Sequence, residues 1–253
     1  MAGDDLLGGE DPEQETDVER ARIAHALVAD LRGLPPVEVP DALCRTCLAL
    51  LPAVSGLSVS VLGDGSTGVV LCASDDVAAR LAEIQFTLGE GPCREAARLR
   101  APVFATHLTR AADRRRWPLF SVQAAKAGVE AVFSLPLAGA GGALGTLDLY
   151  RETPGSLRAD QLRTAMLVAD AVTLAVIALE QASPDPEGVV PWLAGAESDR
   201  EEVHHATGMI MMQLGVSAEE ALLRLRARAF AQGRTAMEVA RAIVDRSMDL
   251  RDD

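Results

Sequence analysis

The chain has 253 residues, 49% of them hydrophobic, which is enough for packed cores and excludes wholesale disorder. Its formal net charge of -13 excludes nucleic-acid binding by bulk electrostatics, so any such binding must be local, and it must use arginine because Lys126 is the only lysine. The apolar runs are short and broken by charges and the first residues are acidic, so no membrane span and no export signal are expected, and the expected location is cytoplasmic.

Residues 1–16 are acidic, contain Pro and Gly, and show no apolar period, which predicts a disordered tail. From Asp17, the spacing of Val18, Ile23, Leu27 and Leu31 predicts an accessory helix that ends at Gly33 and the Pro35-Pro36 pair, so that 17–38 forms helix and linker. Asp41 is placed to cap a second helix running to about Leu51. Leu57, Val59 and Val61 then alternate with Ser58 and Ser60, the pattern of a half-buried strand with its serines outward. Gly63 to Gly68 supplies a turn, and Val69 to Ala73 is its hairpin partner. Val103 to Thr106, Ala131 to Leu137 and Gly145 to Tyr150 add strands, the last two joined by the glycine-rich stretch Ala138 to Ala143, and together they predict one mainly antiparallel sheet. A helix from about Ala159 to Gln181 aligns Leu162, Met166, Ala169, Val172, Val176 and Leu179, to cover the sheet or pair with a second copy.

Ser183 to Pro191, with prolines at 184, 186 and 191, marks the clearest boundary. Behind it three capping-box pairs follow one another: Ser198 with Glu201, Ser217 with Glu220, and Thr235 with Glu238. Gly215 and Gly233 precede the second and third, where left-handed residues end helices. Helices are predicted at about 199–214, 218–232 and 235–249, with apolar faces of Val203, Ile210 and Leu214, then Leu222, Leu225 and Ala229, then Val239, Ile243 and Val244. A unit under 60 residues with such small side chains should lean on the long helix or on a partner chain.

Arg224 and Arg228 lie four apart, away from the apolar stripe, and read either as RNA contacts or as a solvated face paired with Glu220. Arg226 flanks the core, and Arg234 and Arg241 sit at the start and middle of the third helix; arginine can stack on an unpaired loop base while it bonds phosphate. Phe230, the module's only aromatic, reads as packing rather than as a stacking platform. His204 and His205 are neighbours and point about 100° apart on a helix, which excludes a two-histidine metal site and leaves His205 to contact RNA or to cap. Cys44, Cys47, Cys72 and Cys93 are expected as reduced thiols, the first two as small hydrophobes within a helix. Cys93, in Gly-Glu-Gly-Pro-Cys, falls where a helix N-terminus lowers a thiol pKa. His107 has no companion for haem, and no catalytic triad, phosphate loop or zinc-protease motif is present. No catalysis, cofactor or metal is expected.

The segment Ala206 to Val244 resembles the ANTAR domain, through Ala206, Gly208, Met211, Ala221, Leu225, Arg226, Ala229, Val239 and Ala240 taken in order. It departs from the common form with His205 where Gln is usual and Thr207 where Lys is frequent. About Asp41 to Gln181 is similar to a GAF domain, in the stretches beginning at Phe86, Arg116 and Ser134; the cyclic-nucleotide signature of some GAF members is not evident. The resemblance implies an α+β chain, with a GAF-like antiparallel sheet flanked by helices over 39–182, a linker over 183–196, and an all-α three-helix module over 197–253. It implies a signal-responsive transcription antitermination regulator, a homodimer with an unidentified small-molecule effector, binding stem-loops of nascent RNA. The expected RNA contacts are Arg224, Arg228, Arg226, Arg234, Arg241, His205 and Thr207. The alternatives are a GAF small-ligand or protein-interaction sensor without RNA affinity and, third, a cysteine-dependent methionine sulfoxide reductase of GAF type.

Overall fold

The alternation of Leu57, Val59 and Val61 forms β1 (Gly56–Leu62), which pairs with its hairpin partner β2 (Gly68–Ala73). The computed structural model describes residues 12–62, 68–139, 142–181 and 194–249. Before β1 come α1 (Pro12–Leu31), a 3-10 turn at Pro36–Glu38, and α2 (Val39–Leu50). After β2 follow α3 (Asp76–Leu88), α4 (Pro92–Leu99), β3 (Val103–Ala105), α5 (Ala111–Arg116), α6 (Pro118–Lys126), β4 (Ala131–Gly139), β5 (Gly142–Arg151) and α7 (Ala159–Gln181). The chain ends, among the described residues, in α8 (Ala194–Leu214), α9 (Ala218–Ala231) and α10 (Ala236–Val244).

The sheet runs β2-β1-β5-β4-β3 with every neighbour antiparallel. Leu57, Val59, Phe133, Leu135, Leu147 and Leu149 meet α1, α2 and α7 on one face, while Val132 and Tyr150 meet α3, α4 and α6 on the other. Both faces are therefore covered, and Ser58 is buried rather than outward as the alternation predicts. A Cβ on Gly145 would collide with the backbone carbonyl of Ser60, so glycine is what allows β1 and β5 to approach there.

Several local expectations change. α1 begins at Pro12, inside the segment expected to be a tail, and Val18 is exposed, so Ile23 and Leu27 carry its packing. Asp41 does not cap α2; the helix starts two residues earlier, with Pro40 in its first turn, and Asp41 lies within that turn. Met166 of α7 faces solvent, and the buried seam is Ala165, Val168, Ala169, Val172 and Val176. Although its apolar runs are interrupted, α7 is, among the described residues, the one helix long and apolar enough to cross a membrane; in this fold one side of it lies on β4 and against α1. α3, α5 and α6 are not among the elements expected from the sequence, α5 and α6 being only 6 and 9 residues long, whereas α4 starts at Pro92, where Gly-Glu-Gly-Pro-Cys places a helix N-terminus. Cys44 and Cys72 are joined in a disulfide, contrary to the expectation of reduced thiols, because the hairpin brings β2 to α2 with the two Cα atoms 6.2 Å apart.

In the C-terminal module α8 starts at Ala194, so Ser198 lies within the helix rather than at its start. Ser217 Oγ accepts the Glu220 N–H at 3.2 Å, and Thr235 with Glu238 forms a complete reciprocal box. Gly215 and Gly233 take the left-handed conformation with φ of 66° and 64°. α10 stops at Val244, five residues short of its predicted end. The core consists of Val203, Ala206, Ile210, Ala221, Leu225, Ala229, Ala236, Val239, Ala240 and Ile243. The expected support from α7 is replaced by α3 and β2: Phe86 packs against this core, and Thr87 Oγ1 accepts the Ala236 N–H at 3.0 Å. The expectations for residues 1–11, the turn at 63–67, positions 140–141, the prolines at 184, 186 and 191, and residues 250–253 lie outside the described residues.

Candidate functional site

α9 exists because Ser217 caps its start, and its 3.6-residue period turns Ala221, Leu225 and Ala229 inward. Arg224 is thereby left exposed, its Nε and Nη2 donating to one oxygen of Glu220 at 3.1 and 2.6 Å. Arg228 follows one turn later and is half-buried. Arg226 is turned about 200° from Arg224 around the helix axis. It leaves this face altogether and lies over the ring of Phe86 on α3, with its guanidinium carbon 4.8 Å from the ring centre. Burial, then the neighbouring Arg94, lower its pKa to about 10.

The other expected contacts are scattered. Arg241 Nε donates to Glu202 at 2.7 Å, tying α10 to α8. Arg234 Nη2 donates to the Glu238 carbonyl at 2.6 Å, close to the α10 cap. His205 is exposed on α8, whereas Thr207 is buried and its hydroxyl donates to the Val203 carbonyl at 2.7 Å. Phe230, expected to pack, is 44% exposed. The fold thus brings Arg224 and Arg228 together, places Arg226 against the sheet domain, and turns Thr207 inward.

A second feature, unannounced by any motif, lies on the sheet face beneath α3 and α4. The strand registers set Ser58, Asp148 and Ser134 directly opposite one another across β1, β5 and β4. Asp148 is buried and accepts hydrogen bonds from Ser134 Oγ and, at 2.9 Å, from Thr146 Oγ1. Burial raises its pKa to about 6, against the opposing pull of those two hydroxyls. The signal available in the sequence was the run Thr146, Asp148, Tyr150 at strand period, polar groups where a face covered on both sides should be apolar. Cys93, at the start of α4, sits near this row, and its N–H donates to Gln85 Oε1 at 2.9 Å. Burial first, and Asp148 second, push its thiol well above the ordinary value, which overrides the lowering expected from a helix N-terminus. Burial also pushes Cys47 up to about 12, so neither free thiol is disposed to ionise.

His107 has its ring Nδ1 3.3 Å from Thr106 Oγ1. Among the described residues no group of three His, Cys, Asp or Glu could hold a metal ion. A cavity of about 430 Å³ opens between α1, the residues after α2 and the start of α7, with Arg22 and Arg158 in its wall, each paired with a neighbouring carboxylate, Glu19 and Asp160.

The GAF domain family model matches residues 37–176 and the ANTAR domain model matches residues 193–244. No curated protein sequence matches the chain. Among solved structures it is similar to the GAF domain of an Acinetobacter phosphoenolpyruvate-protein phosphotransferase, at 8% identity over 68% of this chain and 98% of that one, TM-score 0.48. The GAF domain of the corresponding Coxiella burnetii protein gives 14% identity over 65% and 98%, TM-score 0.46. The chromophore-binding domain of a bacteriophytochrome from R. palustris gives 11% over 69% and 64%, TM-score 0.47. At the family level GAF domains are sensors and ANTAR domains are RNA-binding regulatory modules. The chain belongs to the GAF domain family and carries an ANTAR domain behind its sensor.

Proposed function

We propose that the chain is a signal-responsive transcription antitermination regulator, with a sensor over 39–182 and a module over 197–253 that holds stem-loops in nascent RNA. The observation that carries this reading is the state of Arg224. It is exposed on α9 and, among the described residues, engaged by Glu220, an i,i+4 surface pair whose typical worth of about 0–1 kcal/mol is easily exchanged for a phosphate. Arg228 stands one turn away, and His205 is exposed on α8. In an acidic chain so few cations need duplication, and a homodimer that presents two modules to tandem hairpins supplies it. Val18 and Val28 on α1 and Met166 and Leu174 on α7 are exposed and offer the apolar dimer seam. A small effector would act at the polar row around Asp148. The protein acts in the cytoplasm, without a membrane and without catalysis.

The test is a gel shift with tandem-hairpin RNA across a salt series, comparing wild type with Arg224→Ala/Arg228→Ala. Binding is expected at low salt, and the double variant should weaken it and flatten the salt dependence by about 0.7–0.9 in log-log slope for each phosphate no longer neutralised. No binding at low salt overturns the reading. It would favour a sensor without RNA affinity, a second reading motivated by Thr207, whose hydroxyl is already committed to Val203.

A further inference from the structure

The last turn of α3 faces two ways. Gln85 is buried on its inner side, where its Oε1 receives the Cys93 N–H beside the Asp148 row. The next two residues belong to the other side: Phe86 carries the guanidinium of Arg226, and Thr87 receives the N–H of Ala236, the first residue of α10. Three consecutive side chains therefore join the polar face of the sheet to two helices of the C-terminal module.

The contact on Arg226 is also an uncomfortable one. Its Nε is buried without a hydrogen-bond partner among the described residues, and Arg94, of the same sign, acts against its charge. A guanidinium removed from water onto an aromatic face gains cation-π attraction, but it loses donors that only an acceptor can satisfy. Gly89, which ends α3 in the left-handed conformation, lies beside it: a Cβ there would stand in ordinary contact, 3.6 Å from Arg226 Nη1. An anionic oxygen offered from outside would satisfy Arg226 better than Phe86 does.

We propose that the last turn of α3 is a clasp: Phe86 and Thr87 stow Arg226 and the start of α10 against the sensor, withholding Arg226 from RNA until displacement of Gln85 from the sheet side loosens the grip. This regulation rests on the RNA reading above. It makes Arg226 an RNA contact of the released state only, and it makes α3 the element through which an effector at the Asp148 row would act.

The test uses the full chain with Phe86→Ala, the gentler Thr87→Val and Gln85→Ala, each checked for folding by circular dichroism. Hydrogen exchange at the Ala236 amide and along α9 reports release, and the tandem-hairpin gel shift reports affinity. Faster exchange is expected in all three variants, with RNA affinity raised on the order of tenfold in Phe86→Ala, the equivalent of about 1.4 kcal/mol. Adding Arg226→Ala to Phe86→Ala should abolish that gain. Release without any gain in affinity, while Arg224→Ala/Arg228→Ala still weakens binding, overturns the clasp and leaves the RNA reading standing. Unchanged exchange in Phe86→Ala and Thr87→Val overturns it on structural grounds. Absence of RNA binding by wild type and by the released variants removes the RNA reading and the clasp with it.

Discussion

The sheet domain buries Phe120, Phe133 and a series of leucines on the two faces of its sheet, whereas five of the ten residues in the core of the C-terminal module are alanines. The first obtains its stability from apolar area, since a buried Leu or Phe is worth about 1.5–3 kcal/mol each. The second cannot, and depends on helices that approach closely, on the caps at the starts of α9 and α10, and on Phe86 borrowed from its neighbour. The difference implies that the module is the first part of the molecule to open, and that what holds it is local and few in number.

The sharpest test of that contrast is Leu225→Ala, which removes one of the few large side chains in the module. A loss of about 2–5 kcal/mol is expected. Hydrogen exchange should then show α8 to α10 open while the sheet domain keeps its protection; a single loss of protection across the whole chain would erase the distinction. On the other side of the comparison, Cys44→Ala/Cys72→Ala removes a bridge across a sequence separation of 28. The loop-entropy model gives a cost of about 3–4 kcal/mol to the sheet domain. Its denaturant midpoint should fall, that of the module should not, and a reducing agent should have no further effect on the double variant.

A third prediction concerns Asp148. Its folded pKa of about 6 lies above the ordinary 3.8, so between these values the native state binds more protons than the unfolded chain. Stability of the sheet domain should therefore fall as pH rises from about 4 to about 6, by roughly 3 kcal/mol for this group, and level off above. Asp148→Asn should flatten that dependence, and urea melts at stepped pH measure it; an unchanged slope would show that the row is solvated. The smallest effect is Thr235→Ala, which opens the capping box at the start of α10 and should cost about 1 kcal/mol, read as faster exchange confined to that helix.

How legible these regions were follows from the same contrast. The strands of the sheet and the long helix could be read because alternation and helical period persist over many residues, as in Leu57 to Val61 and across the length of α7. The second and third helices of the module could be read because glycine and hydroxyl residues mark their boundaries, while α8 started earlier than Ser198 suggested, since a capping pattern inside a helix looks the same as one at its start. What could not be read were consequences of tertiary placement. Ser58 and Ser60 alternate like a solvent face, and only the cover of α3 and α4 turns that face into an interior. Cys72 could be assigned to a strand, but not to Cys44, until hairpin and helix were set side by side. Arg226 belongs, by spacing alone, to the same helix as Arg224 and Arg228; that it lies against Phe86 depends on a neighbour more than a hundred residues distant in sequence.

The alanine core has one more consequence, for what a family pattern can report. Of the nine residues by which the module resembles its family, Ala206, Ala221, Leu225, Ala229, Val239 and Ala240 are fully buried, and Gly208, Met211 and Arg226 are half-buried. The fully buried ones are the places where helices touch, and a larger side chain there would force them apart. Arg224, exposed outside that packing, is under no such geometric restraint. The recognisable part of this module is thus chiefly the signature of its architecture; on the RNA reading the exposed Arg224 stands outside that signature, while Arg226, which belongs to it, is stowed against Phe86.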